Sequence, residues 1–530
     1  MTEYRPRLVD AKLSQCLRVF GAVSIVGPKW CGKTTTAMQV ARSVVRMQDP
    51  DEGALNRSRA MMMPSEVLKG ENPRLIDEWQ VVPQLWDAVR VSVDSRGEKG
   101  LYILTGSANA SRDGTMHSGT GRIYTLRMGT LTLFESGDST GSVSLRALFD
   151  GMSGMYEASG ATLRGVAGLI VRGGWPESVG LGEEDARLAV EGYCESILET
   201  EVRGLDGRRR SPHKMRAVLR SLSRNTSYSL SKRGLMEDVG GSGEAVSANT
   251  LDDYLDALRG IHVLEGMPAW NPNLRSKTAV RTAETIHLCD PAVSAYFLSA
   301  TPEGLMADPA TFGLLFESLA VRDLRTYVRC IGGDVFHYRD ANGLEVDAVL
   351  HLHDGRWALV EVKLGLAWVD EAAENLKKVS GRIDVGKMGS PSFLAVVVPN
   401  GDAYTRPDGV HVVPLTCLRD RSGGLCVQVH ALGLQLPPHP LLAEQDGVHE
   451  DDPAYLHDDR RGYGDHRGGR QAQRAHDRRA ERYGDALVLV RGHQDVGHPL
   501  APGHAPPLLH DLHRVPEEER PQRGDDHEHQ

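Results

Sequence analysis

The last 90 of this chain's 530 residues contain no Lys, Ser, Thr, Asn, Ile, Phe, Met, Cys or Trp. That composition excludes a packed core. Residues 438–530 are therefore expected to be a disordered tail or an out-of-frame stretch of a GC-rich coding region. The 11 histidines of residues 441–530, of 21 in the chain, admit metal binding as the alternative. Long apolar runs are missing as well. None reaches the roughly 18 residues of a membrane helix, and Met1–Asp10 has no signal-peptide core. Cysteine is sparse. The seven stand singly at 16, 31, 194, 289, 330, 417 and 426, with none at metal-ligand spacing, so a reduced, cytoplasmic setting is expected. An excess of positive charge is also lacking: the net charge is -10, which argues against a protein that simply coats nucleic acid. However, residues 441–530 hold 19 acidic and 12 basic side chains, a net of -7, which leaves -3 for the other 440. The acidity therefore does not count against local nucleic-acid contact.

What is present is globular in character, with 40% hydrophobic and 25% charged residues. A chain of this length exceeds one core and predicts three or four domains. The apolar run Phe20 to Val26 enters Gly27-Pro28-Lys29-Trp30-Cys31-Gly32-Lys33-Thr34-Thr35, the GxxxxGKT phosphate loop. The glycines allow tight turns, so that successive N–H groups face phosphates at a helix N-terminus. Lys33 reaches the β and γ phosphates, and the Thr34 hydroxyl ligates Mg²⁺. A helix is predicted over Thr35 to Met47, and a polar loop over Asp49 to Arg59. Downstream, RLIDEWQ ends an apolar strand in two carboxylates. Asp77 is the candidate for assisting Mg²⁺ and Glu78 for activating the attacking water. The strand Leu101 to Leu104 leads to Ser107 and Asn109, candidates for sensing the γ-phosphate. Arg122 opens the strand Ile123 to Leu126 and is a candidate arginine finger, acting in cis or from a neighbouring subunit. A homo-oligomer is expected only in the second case.

GPKWCGKTTTA, RLIDEWQ, ILTGSAN and SGTGRIYTLRMGTLTLFES together resemble the prokaryotic AAA-type ATPases that carry a C-terminal domain of unknown function. The resemblance covers roughly residues 1–430. It implies an ATPase core, helices forming a lid, a winged-helix segment and a restriction-endonuclease-like domain.

The rest of the chain is read beside that expectation. Residues 160–200 have helical spacing on both sides of a Gly173-Gly174-Trp175-Pro176 turn. Three helices, over Ser211 to Ser223, Leu230 to Val239 and Ser247 to Leu258, precede a strand at Ile261 to Gly266. Arg208, Arg209, Arg210, Lys214 and Arg216 give a basic edge, which Asp252, Asp253 and Asp256 oppose. Further on, Glu317 lies on a helix. Asp347 lies on a strand after an Asn-Gly turn, and Glu361 and Lys363 lie two apart on the strand WALVEV. The pattern resembles the PD-(D/E)xK nuclease core, with Val346 where the leading Pro would stand. Carboxylates on adjacent strands plus a helical Glu can hold Mg²⁺, and Lys363 can position water.

The expected fold class is α/β: a P-loop NTPase parallel sheet, a winged-helix-like helical segment and a PD-(D/E)xK-like α/β domain. The expected boundaries are 1–150 for the ATPase core, 151–205 for the helical lid, 206–275 for the winged-helix-like connector, 276–437 for the nuclease-like domain and 438–530 for the tail. ATP and Mg²⁺ are the expected cofactors. DNA or RNA and a protein partner are the candidate partners, and no membrane is expected. A switch whose C-terminal domain only binds a partner is the alternative function.

Overall fold

The apolar strand that feeds the phosphate loop, Ala22–Val26, is buried along its whole length. In the computed structural model it sits between two parallel neighbours, Tyr102–Gly106 and Ile123–Arg127. Arg74–Asp77 and then Ser43–Arg46 complete a five-stranded, all-parallel sheet on the side of Tyr102–Gly106. A sheet buried on both faces needs near-continuous apolar strands. Two separate cores accordingly cover it, one including Ile76, Leu104 and Val89, the other Val23, Ile25 and Leu75. The structure describes residues 4–420, apart from 107–117, 153–155, 202–209, 229–230, 242, 273–282 and 341–342. The tail reading, Ser107, Asn109, Arg208 and Arg209 all lie outside the described residues.

Two local expectations are corrected. The helix after the phosphate loop runs only over Lys33–Met38, and Ser43–Arg46 is a strand, where a helix to Met47 was expected. Val44 and Val45 are β-branched and fit the pleated surface beside Leu75 and Ile76 better than a helix. The supposed loop at Asp49 to Arg59 is largely the helix Gly53–Met62.

The middle of the chain packs around its own core. It comprises the helices Glu183–Ser196, Pro212–Arg224, Lys232–Gly241 and Ala248–Gly260, followed by the antiparallel pair Leu264–Met267 and Thr285–Leu288, whereas the buried face of the preceding helix Leu163–Arg172 enters a different core. Ser247 caps Ala248–Gly260 by accepting from the Thr250 N–H. Two residues of the expected basic edge are neutralised: Arg210 pairs with Asp253 and Arg216 with Glu195.

The 23-residue helix Pro309–Ile331 leads into a seven-stranded mixed sheet. Gly333–Arg339, Glu345–Leu352 and Trp357–Val362 are antiparallel in turn, and Leu394–Val398 and His411–Pro414 then run parallel to Trp357–Val362. Asp402–Thr405 follows, and the edge strand is Tyr156–Ala158, from far upstream in sequence. Val143–Ser144 likewise pairs with Leu418–Arg419. Leu133, Val143, Leu145, Leu148 and Phe149 are buried in the same core as the long helix and this sheet. Leu133 to Phe149 and the strand Tyr156–Ala158 thus pack with the C-terminal sheet and its long helix.

A buried ionic cluster joins these parts. Asp290 accepts hydrogen bonds from the Thr130 hydroxyl and the Gly174 N–H, and it pairs with Arg322 at 2.9 Å. Arg322 also holds Asp323, which accepts from the Leu133 N–H.

Candidate functional site

Gly27 cannot be replaced without displacing backbone: a Cβ there would lie 1.9 Å from the Met128 carbonyl oxygen. Gly32 has φ +97, in the region that favours glycine. These two positions bend the loop so that the helix from Lys33 starts directly behind it. Lys33 is buried, and its Nζ donates to the carbonyls of Gly27 (3.0 Å) and Pro28 (2.8 Å). Arg7 braces the loop from outside through the Cys31 carbonyl and forms a buried pair with Glu135.

The acidic pair stands against this loop. Asp77 Oδ1 accepts from both the Thr34 hydroxyl (2.7 Å) and the Thr105 hydroxyl (2.6 Å). Sequence reasoning passed over Thr105. The available signal was its position opposite Asp77 on the neighbouring strand. Glu78 follows with φ +57, a costly conformation for a non-glycine residue, at the turn out of the strand. Burial pushes its carboxyl above the usual range. A hydrogen bond from Gln80 opposes this, Asp77 adds to it, and Lys33 and Lys29 pull the other way. A pocket of about 590 Å³ is lined by Lys29, Trp30, Lys33, Thr34, Thr35 and Glu78 on one side and by Trp175, Pro176, Glu177, Ser178, Ala189 and Gly192 on the other. Trp175 Nε1 donates to the Lys29 carbonyl, and Tyr193 stacks between Trp175 and Trp30. The structure thus brings together Gly27 to Thr35, Asp77 and Glu78. Thr34 and Asp77 are hard oxygen donors in contact with each other, which suits Mg²⁺.

Arg122 is not brought to this pocket. It precedes Ile123, which lies opposite Ala22, five residues up the strand from Gly27 and at the other end of the sheet. It is half exposed there and pairs with Asp94 at 2.7 Å. Arg122 thus lies away from the phosphate loop of its own chain.

A second cluster forms on the C-terminal sheet. Asp347 and Glu361 occupy adjacent strands, and Asp347 Oδ2 accepts from the Val362 N–H. Lys363 Nζ pairs with Glu361 at 2.9 Å and lies 3.8 Å from Asp347. Glu361 is 6% exposed, and its Oε2 has no partner among the described residues. Burial and then Asp347 push the Glu361 carboxyl up to about 7, although Lys363 opposes them. Burial and Asp347 likewise raise Glu317, which Ser227 contacts by a hydrogen bond. Burial works against the charge on Lys363, but Asp347 and Glu361 outweigh it and leave the ammonium pKa raised. All four expected residues therefore converge. Their carboxylates are suitable Mg²⁺ donors, yet among the described residues no three acidic, His or Cys side chains are gathered as an ion requires. A metal would need Lys363 to withdraw from between Glu361 and Asp347.

Among the described residues, no helix is long and apolar enough to cross a membrane. Residues 20–136 match the family described as AAA domain. Residues 164–304 and 312–418 match two domains of unknown function, DUF8612 and DUF4143. The uncharacterized proteins Mb2031c of Mycobacterium bovis and Rv2008c of Mycobacterium tuberculosis are each 23% identical over 407 residues, covering 76% of this chain and 82% of theirs. The Walker-type ATPase paby2304 of Pyrococcus abyssi aligns with a TM-score of 0.30 at 14% identity, over 55% of this chain and 94% of that one.

Proposed function

With residues 20–136 an AAA-type P-loop domain, we propose that the chain hydrolyses ATP with Mg²⁺ and couples nucleotide state to a nuclease-like site on its C-terminal sheet. The observation that carries the ATPase reading is Asp77, which receives both the Thr34 and Thr105 hydroxyls beneath the phosphate loop while Glu78 lines the same pocket. Backbone N–H groups of Lys29 to Thr35 and the Lys33 ammonium bind the phosphates. Thr34 and Asp77 would hold Mg²⁺, which supplies charge neutralisation at the phosphates. Glu78, its basicity raised by burial, takes the proton of the attacking water. Trp175 lines the pocket, backed by Tyr193.

The test is nucleotide calorimetry joined to phosphate release. Lys33→Ala should abolish binding. Glu78→Gln should keep binding within a few-fold while hydrolysis falls by about 10²–10⁴. Unchanged binding in the first variant would overturn the site assignment.

For the C-terminal domain, the convergence of Glu317, Asp347, Glu361 and Lys363 supports cleavage of a nucleic acid. The closed Lys363 pairing and the neutralised Arg210 and Arg216 favour the second reading, an ATP-driven switch that binds a protein partner. Purified protein assayed on DNA and RNA with Mg²⁺ or Mn²⁺, with and without ATP, separates the two. Cleavage lost in Glu361→Ala supports the nuclease, and equal background in both proteins supports the switch.

A further inference from the structure

We infer that Trp30 is the platform on which the nucleobase stacks, in a slot that Gly192 keeps open; this rests on the nucleotide reading above and adds to it the seat of the nucleoside. Trp30 is the third variable residue of the phosphate loop and has φ +65, in the left-handed region. Its indole is 49% exposed and lines the same cavity of about 590 Å³ as Lys33 and Glu78. That volume falls within the about 300–1,000 Å³ of small-ligand sites. Tyr193, itself buried, backs Trp30 with ring centroids 6.0 Å apart, and the buried Trp175 backs Tyr193 at 4.5 Å. The indole is thus supported by two rings of the protein and offers its remaining surface to the cavity.

The helix Glu183–Ser196 leaves space beside it. Ala189 and Gly192 lie three apart on that helix and both line the cavity. Glycine in a helix interior is unfavourable, yet the backbone does not demand it here. The φ of Gly192 lies outside the left-handed region, and a Cβ there would meet no atom within 4 Å among the described residues. The missing side chain therefore leaves room in the cavity rather than room for another part of the protein.

Chemistry orders the two ends of the cavity. Lys33, Thr34 and Glu78 mark where the polyphosphate is held and cleaved. Glu177 lines the cavity next to Pro176 and is exposed. A carboxylate accepts hydrogen bonds and repels phosphate. Its end suits a nucleoside, with hydroxyls and a ring amino group to donate, better than more phosphate. A base laid on the indole would remove apolar surface of both partners from water.

Calorimetry on the full chain with Mg²⁺ tests this, using a non-hydrolysable ATP analogue and tripolyphosphate, which lacks the nucleoside. Trp30→Gly removes the ring and supplies a residue that favours φ +65, so the loop keeps its shape. It should weaken the analogue about tenfold or more and leave tripolyphosphate within about twofold. Trp30→Phe should restore most of the affinity. Gly192→Leu, whose Cβ has free space, should weaken the analogue alone. The analogue should also quench tryptophan fluorescence in the wild type and much less in Trp30→Phe. Equal weakening of both ligands by Trp30→Gly, or no change in either, overturns the stacking, as does a wild type that binds tripolyphosphate as tightly as the analogue. Where tripolyphosphate binds too weakly to measure, the fluorescence decides, and quenching undiminished in Trp30→Phe overturns the stacking. Retention of the analogue by Lys33→Ala would instead overturn the nucleotide reading itself.

Discussion

Glu361 is held between two opposing demands: a buried position that disfavours its charge and a lysine that favours it. The first prevails, and the carboxyl titrates near 7 in the folded chain against 4.5 as its ordinary value. A carboxyl with a raised folded pKa binds more protons folded than unfolded, so raising the pH from about 4.5 to 7 removes stability. Gln cannot ionise, and its carbonyl can still accept from Lys363. In denaturant titrations, Glu361→Gln should match the wild type at pH 5 and exceed it at pH 8 by on the order of 2 kcal/mol. A difference that is the same at both pH values would show that the carboxyl is not protonated in the folded protein. Residues of this kind were legible in sequence where their chemistry is written contiguously, as in Gly27 to Thr35 or Asp77-Glu78. Thr105 was not. A threonine in a buried strand carries no local signal, and only strand register places it beside Asp77.

Among the elements, the helix Pro309–Ile331 bears the greatest structural demand. Its apolar face enters the largest core, while Arg322 projects into the pair of carboxylates Asp290 and Asp323, both fully buried. Replacing a buried partner leaves uncompensated charge and typically costs about 3–5 kcal/mol. Arg322→Met should therefore lower the unfolding free energy by about that amount in chemical denaturation; a loss under about 1 kcal/mol would show that the two aspartates are satisfied without it. Elements with a strong period were readable from sequence. Trp357–Val362 and His411–Pro414 fall where the apolar runs stand, and Ser247 caps its helix as expected. The short helix after the phosphate loop was misread because Ala37, Val40, Ala41, Val44 and Val45 repeat at helical spacing across a helix, a turn and a strand. Tertiary pairing with Arg74–Asp77 overrode that local pattern.

At the scale of the whole molecule, the α/β class and the parallel sheet behind the phosphate loop were legible in sequence, whereas the packing of Leu133 to Phe149 against the long helix and the C-terminal sheet was not, because it rests on long-range pairing. A fragment of residues 1–150 should accordingly fail to fold, because Leu133, Val143, Leu145, Leu148 and Phe149 lose the surfaces that bury them. Circular dichroism should show no cooperative melt, with strong binding of a hydrophobic dye, whereas residues 1–437 should melt cooperatively; a cooperative melt of the short fragment would refute this. Ser139 donates to the carbonyl of Leu418, 279 residues later. At roughly 5–20 residues per second of ribosomal synthesis, the early segment waits about 15–55 s for its partner to emerge. Nascent chains are thus exposed to proteases and chaperones at this segment throughout most of their translation, and a gene split between the two halves would yield neither half in native form.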